Sequence, residues 1–285
     1  DDWSMGDQEL VLLHAAPSYY SMVARLALVE AGVAFCSQLI DIHLAKQQLG
    51  DRYRQLNPAM TVPTLCAADW SSPGARIWTD SRDILAFASQ SAAATWLDFC
   101  PNLRDQIADV VAGHYAISIE DLTFGKAILS NPVLKRIVPK LLQSLVDGLE
   151  RRAEGAADGG ASLRAKAQQN RERLAYFSQG SQLDKLDLMR TQVGSYLASL
   201  PLVTGGPGLF GDRPSSADVV VAVLFARLEM IQELDLEARP DLQAWWLQFQ
   251  QRQSFRQAEI WTRFRRRRFV QAIFVAKLGP RPIPV

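Results

Sequence analysis

The chain predicts a small α/β unit followed by an all-helical region. Three observations carry that class. Short apolar runs alternate with helically spaced segments from Leu10 to Ser91. No strand pattern returns from Ala92 to the end. A run of small residues, Ser91-Ala92-Ala93-Ala94, separates the two stretches.

Leu10 to His14 is a short apolar run that ends at Ala15-Ala16-Pro17, the signature of a buried strand and a turn. Met22, Leu26 and Val29, with Val23 and Ala27 beside them, have helical spacing over Ser18–Ala31, and Gly32 stops that helix. Val33–Ile42 reads as a second strand and Leu44–Leu56 as a short helix or irregular connection. A third strand, Val62–Cys66, is entered through Pro63; a fourth, Arg76–Trp78, follows the turn residues Ser71-Ser72-Pro73-Gly74. Ser81–Ser91 closes the unit as a helix. Beyond it, helices are expected over 96–122, 133–153, 163–177, 183–200, 217–234 and 242–249, with a flexible break at Gly148–Ser162.

The 285 residues suit one large domain or two ordinary ones, and a 48% hydrophobic, 21% charged composition is globular. Lys and Arg total 31 against 30 Asp and Glu, a net charge of +1, so no global field recruits nucleic acid. Cys36, Cys66 and Cys100 cannot all pair within the chain and lack zinc spacing. They argue for a reducing, intracellular compartment, either cytoplasm or an organelle interior such as a plastid stroma. His14, His43 and His114 leave little for a metal cage, and no metal is expected. No apolar run reaches the roughly 18 to 20 residues of a membrane span. The opening stretch, Asp1–Gln8, is polar and acidic, unlike a signal or transit peptide.

Three motifs, in order, give the chain a resemblance to the glutathione transferase superfamily. They are Leu56-Asn57-Pro58-Ala59-Met60-Thr61-Val62-Pro63-Thr64-Leu65, Thr79-Asp80-Ser81-Arg82-Asp83-Ile84 and Ser215-Ser216-Ala217-Asp218-Val219-Val220. The first is similar to the family's Asn-Pro turn and its Val-Pro pair with a cis proline. The second is similar to its Glu-Ser or Gln-Ser helix start, and the third to its Ser-x-x-Asp capping box. Met22–Val33 and Val223–Met230 resemble zeta-like transferases and bacterial tetrachlorohydroquinone dehalogenases. An extra helical segment near 130–180 and a basic C-terminal helix resemble the plant class named after that dehalogenase and the ganglioside-induced differentiation-associated protein family. The resemblance implies a thioredoxin-like glutathione-binding domain over 8–91 and a helical C-terminal transferase domain over 96–268. The first carries the tripeptide, the second holds the helical insertion, and a tail covers 269–285.

The same resemblance assigns roles. At a cis turn, Val62 before Pro63 would pair its backbone with the cysteinyl part of glutathione, as an added strand does. Asp80 and Ser81, at a helix N-terminus, would hold the γ-glutamyl ammonium and carboxylate, although both are also favoured as caps. Ser18 falls on the zeta-type catalytic serine, where a hydroxyl and the helix field lower the thiol pKa. Tyr20 falls on the dehalogenase cysteine position; with no cysteine near it, reductive dehalogenation is disfavoured. Tyr19 and Tyr20 are alternative hydroxyl donors. Gln47 and Gln48 fall where zeta-like relatives reach the glycine carboxylate, with His43 and Lys46 beside them. Met22, His114 and residues near Phe124 would shape a cleft for an apolar electrophile between the two domains.

The end of the chain is basic. Arg252, Arg256, Arg263 and Arg265–Arg268 are offset only by Glu259 and interleave with Trp261, Phe264, Phe269, Ile273 and Phe274. Such a segment suits a partner protein or the periphery of an anionic membrane through Arg252–Arg268. Two functions follow: a glutathione-dependent transferase or isomerase, as a homodimer or in a larger complex, and a degenerate transferase fold serving as a structural or membrane-peripheral subunit of a larger complex.

Overall fold

A computed structural model describes residues 9–201, 205–278 and the backbone of 283–284. The first stretch runs β1 (Leu10–His14), α1 (Tyr19–Glu30), β2 (Cys36–Leu39), a 3-10 turn (Gln47–Leu49), α2 (Asp51–Leu56), β3 (Thr64–Ala67), β4 (Ile77–Trp78) and α3 (Ser81–Ser91). After a second 3-10 turn, Leu97–Phe99, come α4 (Arg104–Ala116), α5 (Ile119–Ser130), α6 (Pro132–Glu154), α7 (Ala161–Ser178) and α8 (Gln182–Ser199). The chain continues with α9 (Ser216–Met230), α10 (Pro240–Phe249), α11 (Gln253–Gln257), α12 (Arg266–Lys277) and β5 (Ile283–Pro284). A small mixed sheet precedes a helical region, as expected for a thioredoxin-like domain followed by helices.

The strand order is β4-β3-β1-β2-β5, with β1 and β2 parallel and the other neighbours antiparallel. Every residue of β1 is buried, as befits a central strand covered on both faces. Val11 and Leu13 face one way and join Cys36, Ile40, Tyr53, Leu56 and Cys66 in a core beneath α2. Across α9, Ser216 to Leu228 is buried without interruption, so this helix, apolar but for Ser216, Asp218 and Arg227, runs through the core.

Two expectations are corrected. A strand does occur beyond Ala92: β5 pairs with β2 through Cys36 and Ser37. Two residues, one of them a proline, carry no periodicity to read; backbone pairing alone makes this strand. The single helix expected over 96–122 is broken. Cys100-Pro101 ends the first turn, and Ser118 starts α5, its hydroxyl bonded to the Asp121 carboxylate. Ser-x-x-Asp is a capping signature that helical periodicity masks.

Two compact units emerge. One comprises residues up to Asn57, Thr61–Tyr115 and from Ser199 on; the other comprises Pro58–Met60 and Ala116–Ala198. The first includes the sheet, nearly all of α4 and α9 to α12. In the second, α6 and α7 form a long helical hairpin packed by α5. Its turn depends on Gly160, at φ 64°, where a Cβ would lie 2.5 Å from the Ala153 carbonyl oxygen.

Candidate functional site

The sheet topology gathers the sequence-predicted residues at one end. β1 runs into Ala15–Ser18, and β2, parallel to it, runs into Asp41–Gln47. Antiparallel β3 starts at that same end, so Val62-Pro63 lies there, and β4 returns to it at Thr79–Ser81. The Val62–Pro63 peptide is cis. Asn57, fully buried, ties these loops together: its Nδ2 donates to the Thr61 carbonyl (3.0 Å), the Thr64 hydroxyl (2.9 Å) and the Thr79 carbonyl (3.2 Å). The Asn-Pro turn therefore owes its asparagine to cross-linking as well as to turn chemistry.

Ser18 is the N-cap residue of α1, half-buried, with φ −66° and ψ 130°. Its amide donates to Ala15 and its carbonyl accepts from Met22. Its hydroxyl caps nothing and takes no hydrogen bond among the described residues. Two buried arginines fix the loop before it. Arg227 donates to the Pro17 carbonyl at 2.7 Å. Arg25 donates to the Ala16, Ala258 and Glu259 carbonyls and, at 3.0 Å, to Nδ1 of His14. His14 closes that chain at 2.7 Å from the Ser37 hydroxyl. Burial and the Arg25 charge hold His14 neutral, well below the ordinary imidazole range.

Tyr20 stacks on Tyr115 of α4, ring centroids 6.2 Å apart and nearly parallel. Tyr115 also places its hydroxyl 3.1 Å from that of Ser81, and the Arg82 guanidinium lies 4.5 Å over its ring. Tyr115 thus links Tyr20, Ser81 and Arg82, a role that sequence reasoning missed. Its only signal was an aromatic beside His114 on a helix. Burial raises the Tyr115 phenol above its usual range, so its hydroxyl keeps its proton at neutral pH.

Ser81 is 2% exposed. Asp80 is exposed and caps α3, one carboxylate oxygen accepting from the Arg82 amide at 2.7 Å. Val62 takes no backbone hydrogen bond among the described residues, whereas its neighbours Thr61 and Thr64 are engaged. Gln47 is committed at both ends: its Oε1 accepts from the Asp41 amide at 2.8 Å and its Nε2 donates to the Ala276 carbonyl of α12 at 3.0 Å. His43 packs edge-on against Phe269 of that helix. Lys46 sits in a left-handed conformation, φ 50°, just before the 3-10 turn.

The expected cleft-lining roles of Met22 and His114 are corrected. Met22 is wholly buried, its sulfur facing the Trp261 amide, and His114 is buried against the Tyr19 ring. On helices packed from several sides, apolar spacing cannot separate core from cleft. Phe124, in the second unit, is 42% exposed beneath the Arg173 guanidinium, 4.5 Å away. Ser215 and Asp218 form the expected capping box, Asp218 accepting from the Ser215 and Leu209 amides. Asp98 adds a second cap to α9 by accepting from the Ser216 amide.

Residues 17–90, spanning this end of the sheet, match the family model described as the glutathione S-transferase N-terminal domain. Over that segment the chain is similar to the glutathione S-transferases. The tetrachloro-p-hydroquinone reductive dehalogenase of Sphingobium chlorophenolicum is 26% identical over 261 residues, covering 88% of this chain and 96% of that protein. Among solved structures, glutathione S-transferase unclassified 2 from Bombyx mori has a TM-score of 0.55 at 16% identity, covering 94% and 98% of the two chains. A delta-class glutathione transferase of Nilaparvata lugens has a TM-score of 0.55 at 13% identity, covering 94% and 99%. These two likenesses are of fold.

Proposed function

We propose that the chain is a glutathione-dependent transferase in which Ser18 partners the glutathione sulfur. The observation that carries this reading is the Ser18 hydroxyl: half-buried, at the start of a 12-residue helix, on a loop held by two buried arginines, and without a partner. A hydroxyl left free at a helix N-terminus can donate to a thiolate, and the field there favours the negative sulfur. The thiol then loses its proton to solvent near neutral pH. The thiolate attacks an electrophilic carbon of an apolar substrate, forming a C–S bond as the leaving group departs with its electron pair.

The backbone of Val62 supports the reading too, since its free N–H and C=O can pair with an extended peptide. The start of α3 offers Ser81 and one uncommitted oxygen of Asp80 to the γ-glutamyl end. Gln47 would bind the glycine end only by giving up Asp41 or Ala276. Reductive dehalogenation lies outside the reading. No cysteine stands between Pro17 and Tyr20, and the buried Cys66 thiol is pushed up to about 11. Ultraviolet titration of bound glutathione tests the role of Ser18. Ser18→Ala should raise the thiol pKa and cut turnover at pH 7 roughly ten- to a hundredfold, with affinity nearly unchanged. Identical titrations would move the role to Tyr19 or Tyr20.

A second reading, a degenerate transferase fold acting as a structural subunit, is favoured by one observation. The side chains of Gln47 and Ser81 already have protein partners. Retention on immobilised glutathione, with elution by free glutathione, supports the enzyme; flow-through supports the subunit.

A further inference from the structure

The outer face of α12 carries a feature that neither folding nor the glutathione site uses. Its inner face is anchored: Ala276 is buried and bonds Gln47, and Phe269 packs on His43. Opposite lie Arg267, Val270, Gln271, Phe274, Lys277 and Leu278, all exposed, at the spacing of one helical stripe. Val270 is 58%, Phe274 63% and Leu278 72% exposed. Exposed apolar residues scattered singly need no explanation, but three on one stripe do.

Charge points the same way. Arg265 to Arg268 crowd the N-terminal end of α12, where the helix field disfavours cations. Helix stability therefore does not account for them. Among the described residues, the acidic group close to them is Glu259, 3.7 Å from Arg268. Arg252, at the edge of the basic segment, is spent in an ion pair with Glu30. A second copy of the chain is a poor occupant, because the stripe has no acidic residue and pairing would bring basic side chains together. No helix among the described residues is long and apolar enough to cross a membrane.

We infer that this face, Arg263 to Leu278, docks on an anionic lipid surface. Phe274, Val270 and Leu278 would enter the headgroup boundary and the arginines would pair with lipid phosphates. The inference stands apart from the glutathione reading, as no residue of the outer stripe belongs to that site.

The test is co-sedimentation of the full chain with neutral phosphatidylcholine vesicles and with vesicles containing anionic phosphatidylglycerol. Binding is expected to the anionic vesicles alone and to fade as salt rises. Val270→Ser with Phe274→Ser should weaken it at least tenfold. Arg266→Gln with Arg267→Gln should weaken it about thirtyfold. All four side chains are exposed, so the variants should fold and keep their behaviour on immobilised glutathione. Equal binding to both vesicle types, binding unchanged in both double variants, or capture of single-stranded RNA in place of vesicles would overturn the inference. So would loss of binding in Ile137→Ser with Leu141→Ser, which alters the exposed stripe of α6 instead.

Discussion

The hydroxyls of Ser81 and Tyr115 lie 3.1 Å apart, joining the first residue of α3 to α4. Ser81 is nearly inaccessible behind this contact, and the Tyr115 ring is held from two sides by Tyr20 and Arg82. A carboxylate arriving at the start of α3 must therefore share or displace the tyrosine hydroxyl. Tyr115→Phe keeps the stack and releases Ser81. It should tighten glutathione binding a few-fold, while Ser81→Ala should weaken it about tenfold. Calorimetric titration of both variants checks the pair. Weaker binding by Tyr115→Phe would instead make the phenol itself a ligand group.

Acid should destabilise the fold from about pH 6.5 downward. Burial depresses His114 to about 3 and His14 well below its ordinary value. The unfolded chain then binds protons that the folded chain refuses, so stability is full above pH 6.5 and falls as pH drops toward 3. Each histidine contributes at most about 1.4 kcal/mol per pH unit. Asp218, raised to about 6 by burial, acts in the opposite sense between 3.8 and 6 but is one group against two. Urea midpoints across pH 4 to 7 should fall with acid, and His114→Phe should flatten the slope.

The ion pair between Arg252 and Glu30 should matter more than its place near the basic segment suggests. Both guanidinium contacts are short, 2.8 and 2.7 Å, and the Glu30 side chain is only 4% exposed. Arg252→Ala leaves that carboxylate buried with the Ser254 hydroxyl as its remaining partner. A loss of about 2 to 4 kcal/mol is expected, read by urea unfolding. Arg256→Ala, at an exposed neighbour, should cost under about 0.5 kcal/mol.

Gly160→Ala should destabilise the second unit. The positive φ and the 2.5 Å approach to the Ala153 carbonyl both oppose a Cβ, and backbone cannot step aside as a side chain can. A cost above about 1 kcal/mol is expected. Limited proteolysis should then cut between α6 and α7, while Gly155→Ala, with open space around it, should leave the digest unchanged.

Local chemistry determined much of this protein. The apolar run Leu10–His14, the spacing of Met22, Leu26 and Val29, and the caps at Asp80 and Ser215 each act within a few residues, so β1, α1, α3 and α9 were legible in the sequence. The motif around Asn57 and Val62-Pro63 marked the right end of the sheet. What only the tertiary structure decided was the company each side chain keeps. Ser18 is left without a cap partner, whereas Gln47 is consumed by Asp41 and a carbonyl 229 residues away. Met22 and His114 are core because elements from distant sequence close over them. Tyr115 reaches Ser81, and β5 finds β2, through contacts that no period of 2 or 3.6 encodes. Periodicity reports which face of an element is apolar. Which neighbour covers that face depends on packing between segments far apart in the chain.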